Sequence, residues 1–338
     1  MKYLLGLICF FFCLSASAQR PPFTVHSISL PKELEFYDNQ FSGLAVSSSK
    51  LFLLSESRLQ DRAEAKLYTL KLADLDRKLL DTAYVLPYQK LLLNQLPALR
   101  TKMLATGQQY EGLEAILIDG NDIYFSVETA TPSTNCYLLK GSLTASAVVM
   151  DTTFLTPLAK PLTADGQHIY NAGFEAMAQA KKQLVAFFEF NSFPGQNYAY
   201  ALSKRPAPAL GSPPTLPFAP LPFRITDMTP TGSNHFTAIN YFFKGGGGDA
   251  VYRTPASDTT NTKLTTDRNG FESYCRLVDV VFKDNRFTWQ LLWELPEQYW
   301  GYNWEGIAAY NNGYFIINDK YTPSRPYRTT LLYIQATR

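Results

Sequence analysis

The chain has 338 residues, with 31 basic against 29 acidic side chains and no long basic run, which removes support for nucleic acid or an anionic membrane surface as partner. Aromatic residues make up 14% and charged residues only 18%, a balance that disfavours disorder and suits a large β core. Four cysteines without a C-x-x-C pair exclude a zinc knuckle or a thioredoxin-type motif.

The N-terminus reads as a targeting segment. Lys2 supplies a positive start, Tyr3 to Leu14 is apolar, and Ser15-Ala16-Ser17-Ala18 offers the small residues that a signal peptidase reads. Cleavage is expected after Ala18. Residues 1–18 are then a signal peptide, and 19–338 form a single exported domain, periplasmic or secreted. The apolar run of about a dozen residues is short of the ~20 that span a bilayer, and no later stretch reaches that length. Cys9 and Cys13 leave with the signal. Cys136 and Cys275 remain, either bridged, which export permits, or as buried thiols.

Past Arg20-Pro21-Pro22, the stretch Phe23 to Leu30 alternates as a strand. A first repeat follows: Gly43 to Val46, the turn Ser47-Ser48-Ser49-Lys50, and the return strand Leu51 to Glu56. Lys66 to Leu72 and Leu79 to Leu86 are expected to complete a four-stranded meander, the unit of a propeller blade. Tyr88 to Leu96, with Leu99, reads as a short helix on a connection. A second repeat runs from Glu111 through the turn Asp119-Gly120-Asn121-Asp122 to about Phe154. A third opens at Phe174-Glu175, turns at Lys181-Lys182-Gln183 and returns through Leu184 to Glu189, with Asn197 to Leu202 as its third strand. Pro206 to Pro222 is proline-rich and reads as an extended surface connection. The fourth repeat spans Arg224 to about Arg253. Its Gly245-Gly246-Gly247-Gly248 lacks the Gly-Lys-Ser/Thr of a phosphate loop and reads as a flexible hairpin tip. Cys275 to Phe282 and Arg286 to Leu292 are either the outer half of that blade or a blade of their own. The last repeat, Trp304-Glu305-Gly306-Ile307-Ala308, turns at Asn311-Asn312-Gly313 and returns to Asp319.

The repeat starts Ser42, Glu111, Glu175, Asp227 and Glu305 are separated by 69, 64, 52 and 78 residues. Five starts are visible, and the longest interval has room for a sixth. The expected fold is an all-β propeller of four-stranded antiparallel blades, six in number. It is expected to close by pairing the strand Thr24 to Leu30 with the last blade, because an open ring leaves two sheet edges. A monomer is expected.

The first strand of a blade lines the channel and the second returns to the same end. Glu305 and Asp319, Glu175 and Glu189, and Ser42 and Glu56 are each 14 residues apart, so their ends are neighbours. Glu111 and Glu128 are 17 apart, and Asp227 and Asn240 are 13. Glu56, Glu111, Glu128, Glu175, Glu189, Asp227, Glu305 and Asp319 therefore gather at one channel end. That much like charge needs protonation, a basic partner or a cation. Arg58, Arg224 and Lys320 adjoin the ring and either neutralise it or hold a phosphate or carboxylate on an anionic or ester ligand. Three readings stay open: the acids latch neighbouring blades through backbone amides, they hold calcium, or they also activate water. The mature chain holds only His26, His168 and His235 and neither a G-x-S-x-G nor an H-E-x-x-H motif. The aromatic run Tyr299 to Trp304 serves either inter-blade packing or stacking of a sugar or aromatic ligand.

Phe41-Ser42-Gly43-Leu44-Ala45 with Leu53 to Arg58, Asn171 to Ala178 with Glu189, and Trp304 to Ala308 with Ile317-Asn318-Asp319 together resemble the phytase-like domain family, also called the esterase-like activity of phytase domain. The resemblance covers most of the mature chain. It implies an exported bacterial β-propeller and ester or phosphoester hydrolysis. Ala176 stands where glycine is usual, and Asn240-Tyr241-Phe242 replaces an acidic–basic ending. On this resemblance Glu111, Glu175, Glu305 and Asp319 would hold a divalent cation, with Glu305, Asp319 and Glu175 as the catalytic set. Arg58 and Lys320 would orient the substrate. The competing expectation is a non-catalytic propeller of the cell envelope that binds a ligand or a protein.

Overall fold

The structure, a computed structural model, describes residues 23–36, 39–56, 65–195, 197–205, 213–319 and 328–337. The expected signal peptide and its cleavage site lie outside them. Among the described residues the strand pairings group into five four-stranded antiparallel blades. Blade I holds Phe41–Ser47, Lys50–Ser55, Lys66–Lys71 and Gln89–Asn94. Blade II holds Tyr110–Asp119, Asp122–Thr129, Asn135–Leu143 and Ala147–Ala159. Blade III holds Ala176–Ala180, Gln183–Phe187, Asn197–Leu202 and Thr215–Phe218. Blade IV holds Leu221–Pro230, His235–Phe242, Tyr274–Lys283 and Arg286–Glu294. Blade V holds Asn303–Tyr310, Gly313–Asp319 and Leu331–Ala336. Its fourth strand is N-terminal: Phe23–Ile28 pairs with Leu331–Ala336, from Phe23 opposite Ala336 to Ile28 opposite Leu331. The two ends of the chain thus close the ring.

Apolar side chains leave both faces of each blade and meet those of the next. Five buried clusters result, one per interface. Phe52 and Leu54 of blade I meet Phe125 and Leu139 of blade II. Tyr124 and Leu138 meet Phe188 and Tyr200. Phe187 meets Ile225 and Phe287, Ile239 and Leu277 meet Ile307 and Leu332, and Phe315 and Ile317 return to Leu44 and Leu53. Cys136 and Cys275 are buried free thiols in two different clusters, so neither bridges the other.

Several expectations are corrected. Tyr274–Lys283 pairs directly with His235–Phe242, so the last two strands before blade V are the outer half of blade IV, not a sixth blade. The 78-residue interval is filled by an insert, 243–273, carrying a short 3-10 turn at Gly247–Tyr252 and a helix at Thr259–Thr265. The glycine run leads into that insert and is not a hairpin tip. Blade I lacks a strand at Leu79 to Leu86, because Leu72–Leu80 is a helix. Leu72 and Leu75 are buried and Leu79 packs beside them, the three-and-four spacing of a helical face. Lys78 donates to the carbonyls of Thr82 and Tyr84 and so closes its C-terminus. The fourth strand is instead Gln89–Asn94, within the stretch expected to be helical; the helix begins at Leu96 and runs to Ala105. In the proline-rich connection, Thr215–Phe218 is the outermost strand of blade III, bridged to blade IV only at Phe218 opposite Phe287, and 206–212 lie outside the described residues. No helix among the described residues is long and apolar enough to cross a membrane.

Candidate functional site at the channel mouth

Each inner strand except that of blade III is broken near its start by a one-residue bulge. The extra residues are Ser42, Glu111, Thr226 and Glu305. A bulge re-aims the side chain that it carries. In blade IV the position equivalent to Glu305 is therefore Thr226, one residue before the expected Asp227. Glu175 occupies the corresponding place in blade III, immediately before Ala176–Ala180. The glycine of the repeated phrase follows from close approach. A Cβ at Gly306 would stand 3.1 Å from the Gly43 carbonyl carbon and 2.9 Å from Leu44 Cγ of blade I. At Gly112 it would overlap the Glu56 side chain at 2.4–2.9 Å.

Two of the four bulges serve as inter-blade ties. Ser42 Oγ donates to the Leu113 carbonyl of blade II at 2.6 Å, and Thr226 Oγ donates to the Trp304 carbonyl of blade V at 2.6 Å. Asp227 ties three blades. Its Oδ1 accepts from Met228 N–H at 2.7 Å. Its Oδ2 accepts from Ile307 N–H of blade V at 2.8 Å and Leu44 N–H of blade I at 3.2 Å. Burial pushes this carboxyl up, and the three amides oppose that. Asn240 braces the same region. It donates to the carbonyls of Pro222 (2.8 Å) and Arg224 (2.9 Å) and accepts from Arg276 Nε at 2.7 Å.

The acids of blades II, III and V form a different arrangement. Glu175 is 8% exposed and Glu189 fully buried. Burial, then the charges of Glu189, Glu305 and Glu114, hold the Glu175 carboxyl well above the usual carboxylate range, against the pull of Arg224. Burial also raises Glu189, but Arg224, the Tyr252 hydroxyl and the Glu175 carboxyl favour its charged form. Arg224 Nε lies 3.5 Å from Glu189 Oε2, its Nη2 bonds Asp249, and its guanidinium stacks 4.2 Å over the Tyr252 ring. Asp249 and Tyr252 both come from the insert of blade IV. Among the described residues no hydrogen bond of ordinary geometry reaches Glu175 Oε2 or either Glu189 carboxylate oxygen. Buried carboxyl groups in one place suit a polar ligand or a transferred proton.

Glu305 and Asp319 sit at the half-exposed rim. The Asn303 amide donates to Glu305 Oε1 and, at 3.3 Å, to Asp319 Oδ2, joining the two strand ends. Glu111 is also half-exposed on the bulge of blade II. Glu56 and Glu128 are buried toward neighbouring blades: Glu56 covers Gly112, and Glu128 covers Gly173, whose Cβ would meet it at 3.3 Å. Arg58 and Lys320 lie outside the described residues. Arg224 is in contact with Glu189, Asp249 and Tyr252.

Among the described residues no group of three or more His, Cys, Asp or Glu side chains is placed to hold a metal ion. The charges of Glu189, Glu305 and Glu114 all act on Glu175.

Four contributors were not singled out from the sequence: Glu114, Asn303, Asp249 and Tyr252. Glu114 was legible as an acid inside the apolar run Leu113 to Leu117. A second bulge at that residue places it 8% exposed beside the Glu175 group, with Ser126 Oγ accepting the following amide, Ala115 N–H, at 2.8 Å.

No family model matches the chain, and no curated protein matches it. Among solved structures it is similar to the α-L-arabinofuranosidase CtGH43 from Clostridium thermocellum ATCC 27405, at 11% identity and TM-score 0.45, over 82% of this chain and 81% of that one. It is also similar to the GH43_1 enzyme from Xanthomonas citri complexed with xylotriose, at 11% identity and TM-score 0.48, over 92% and 90% of the two chains. At such identity and score the likeness bears on no activity, and the β-propeller rests on the strand pairings themselves.

Proposed function

We propose that this chain is an exported hydrolase that cleaves a small ester or phosphoester by carboxyl acid–base chemistry at the channel mouth. The observation that supports the reading is Glu175, a buried carboxyl pushed well above the usual carboxylate range by its burial and by the charges of Glu189, Glu305 and Glu114. The substrate class and the export follow the phytase-like resemblance and the apolar N-terminus.

Glu175 supplies the proton to the leaving oxygen. Glu305, half-exposed and oriented by Asn303, takes a proton from the attacking water. The water oxygen bonds to the carbonyl carbon or phosphorus as the bond to the leaving oxygen breaks. Glu175 ends as a carboxylate near Arg224, whose charge offsets it. A proton returns through solvent from Glu305 to Glu175. No step requires a metal.

The test is turnover of p-nitrophenyl acetate, p-nitrophenyl butyrate and p-nitrophenyl phosphate, with Glu175→Gln and Glu305→Gln as controls. Removing either group is expected to lower kcat about 10²–10⁴-fold while circular dichroism is unchanged, and EDTA leaves the rate intact. Blank panels with folded protein sink the enzyme reading. One observation favours the alternative, a non-catalytic ligand-binding propeller: Asp227 of the expected ring serves as a blade tie, as do Ser42 and Thr226 at the bulges of blades I and IV.

A further inference from the structure

A second concavity lies beside blade IV, on the channel-mouth side. His235–Phe242 runs toward the end occupied by Arg224, since Tyr241 is opposite Arg224, and the insert 243–273 begins just beyond it. One wall of the cleft is that insert, with Lys244, Lys263 and Glu272. The other is the segment leading into blade V, with Glu297, Trp300 and Gly301. The cleft has a volume of about 530 Å3, within the range of small-molecule sites.

Its chemistry is specific in two respects. Trp300 is half-buried, its indole N–H is already given to the Leu295 carbonyl at 2.6 Å, and its ring sits 5.3 Å from Tyr274, edge to face. What it offers the cleft is ring surface in a fixed orientation. The charges are mixed. Lys244 is paired with Glu272 at 2.9 Å, and Lys263 stands with Asp267 and Glu297 on the same lining. A small anion entering here meets three carboxylates, and a small cation meets two ammonium groups. A hydroxyl group suits both signs, because it donates to a carboxylate and accepts from an ammonium. A ligand with many hydroxyls and an apolar C–H face matches the ring surface as well.

We infer that this cleft is a binding site for a neutral carbohydrate of two or three rings, one of which lies on Trp300. The site is separate from the Glu175 group, and the inference stands whether or not the hydrolase reading does.

The experiment is isothermal titration of the full exported chain with maltotriose, cellotriose and xylotriose, with inorganic phosphate as the charged comparison. Saturable binding of at least one trisaccharide and none of phosphate is expected. Trp300→Ala is expected to weaken it at least about tenfold. Since Trp300 also packs against the core, Gly301→Leu is the second variant. A Cβ at Gly301 meets nothing within 4 Å, so the new side chain fills the cleft without disturbing the fold. It is expected to abolish binding at unchanged Tm. No trisaccharide binding, binding of phosphate alone, or sugar binding that Gly301→Leu leaves intact each overturns the inference. Glu175→Gln, which tests the hydrolase, is expected to bind the sugar as the unaltered chain does.

Discussion

Asp227 gives the sharpest test of how the ring is held. Its carboxylate is 1% exposed and accepts three backbone amides, one each from blades I, IV and V. Two effects compete. Burial costs an ionised carboxylate free energy, so its removal recovers some of that cost. Against this, Asp227→Ala strands three buried N–H groups, each worth about 1–3 kcal/mol, and the sum is at least about 3 kcal/mol. Asp227→Asn can turn its oxygen toward Leu44 and Ile307 and leave its nitrogen facing Met228 N–H, stranding one donor at about 1–3 kcal/mol. The expected order of stability is therefore wild type, then Asn, then Ala. Urea unfolding followed by tryptophan fluorescence measures it as a fall in the midpoint at constant slope. If Asp227→Ala lies within about 0.5 kcal/mol of wild type, desolvation has won and the carboxylate is not a tie.

Two further expectations concern pH and one concerns a turn. The folded Glu175 carboxyl titrates above its unfolded value of 4.5, so the native state holds this proton more tightly, and stability falls as pH rises from 4.5 through the raised value. Glu175→Gln should flatten that decline in Tm between pH 5 and pH 8; an unchanged profile means that Glu175 is ionised throughout. Glu33 behaves oppositely. Lys90 Nζ at 2.7 Å and Tyr88 OH at 2.5 Å, helped by Tyr68 OH at 3.1 Å, draw its carboxyl down to about 2. Its contribution is present above pH 4.5 and lost as pH falls from 4.5 toward 2, so Glu33→Gln should lower Tm at pH 6 and make no difference at pH 2. Ser48 and Ser49 take φ of 46° and 61° in the blade I hairpin, left-handed values that favour Asn-Gly. Replacing the pair by Asn-Gly should raise stability by about 1 kcal/mol, read as a higher urea midpoint.

Much of this fold is written in local sequence. The repeated phrase marks the inner strands because each must carry an apolar run, a small residue where strands crowd and an acid or hydroxyl at the bulge. The alternation of Phe23 to Leu30 identified the closing strand. What escaped was set by distance. Thr226 and Asp227 differ by one residue, and only the bulge, fixed by pairing with Asn240 and Ile239, decides which matches Glu305. The acids look equivalent in sequence, yet Asp227 meets amides, Glu56 a glycine of the next blade and Glu175 other carboxyls. Asp249 and Tyr252 reach the site from an insert whose length suggested another blade. The helix at Leu72–Leu80 was legible in its Leu72, Leu75 and Leu79 spacing, which the neighbouring meander pattern masked.

The closing strand has a consequence for how the protein is made. Thr24 and Gln335, hydrogen-bonded in the finished ring, are 311 residues apart. Synthesis at ~5–20 residues per second means that Phe23–Ile28 emerges tens of seconds before any partner for it exists. During that interval blade V has no template, and an unpaired strand is free to recruit another chain. The strand's own composition tempers the hazard. Thr24, His26 and Ser27 are exposed even in the native ring, and of its six residues only Ile28 is buried. The ring can lock only once Leu331–Ala336 is available to pair with this strand.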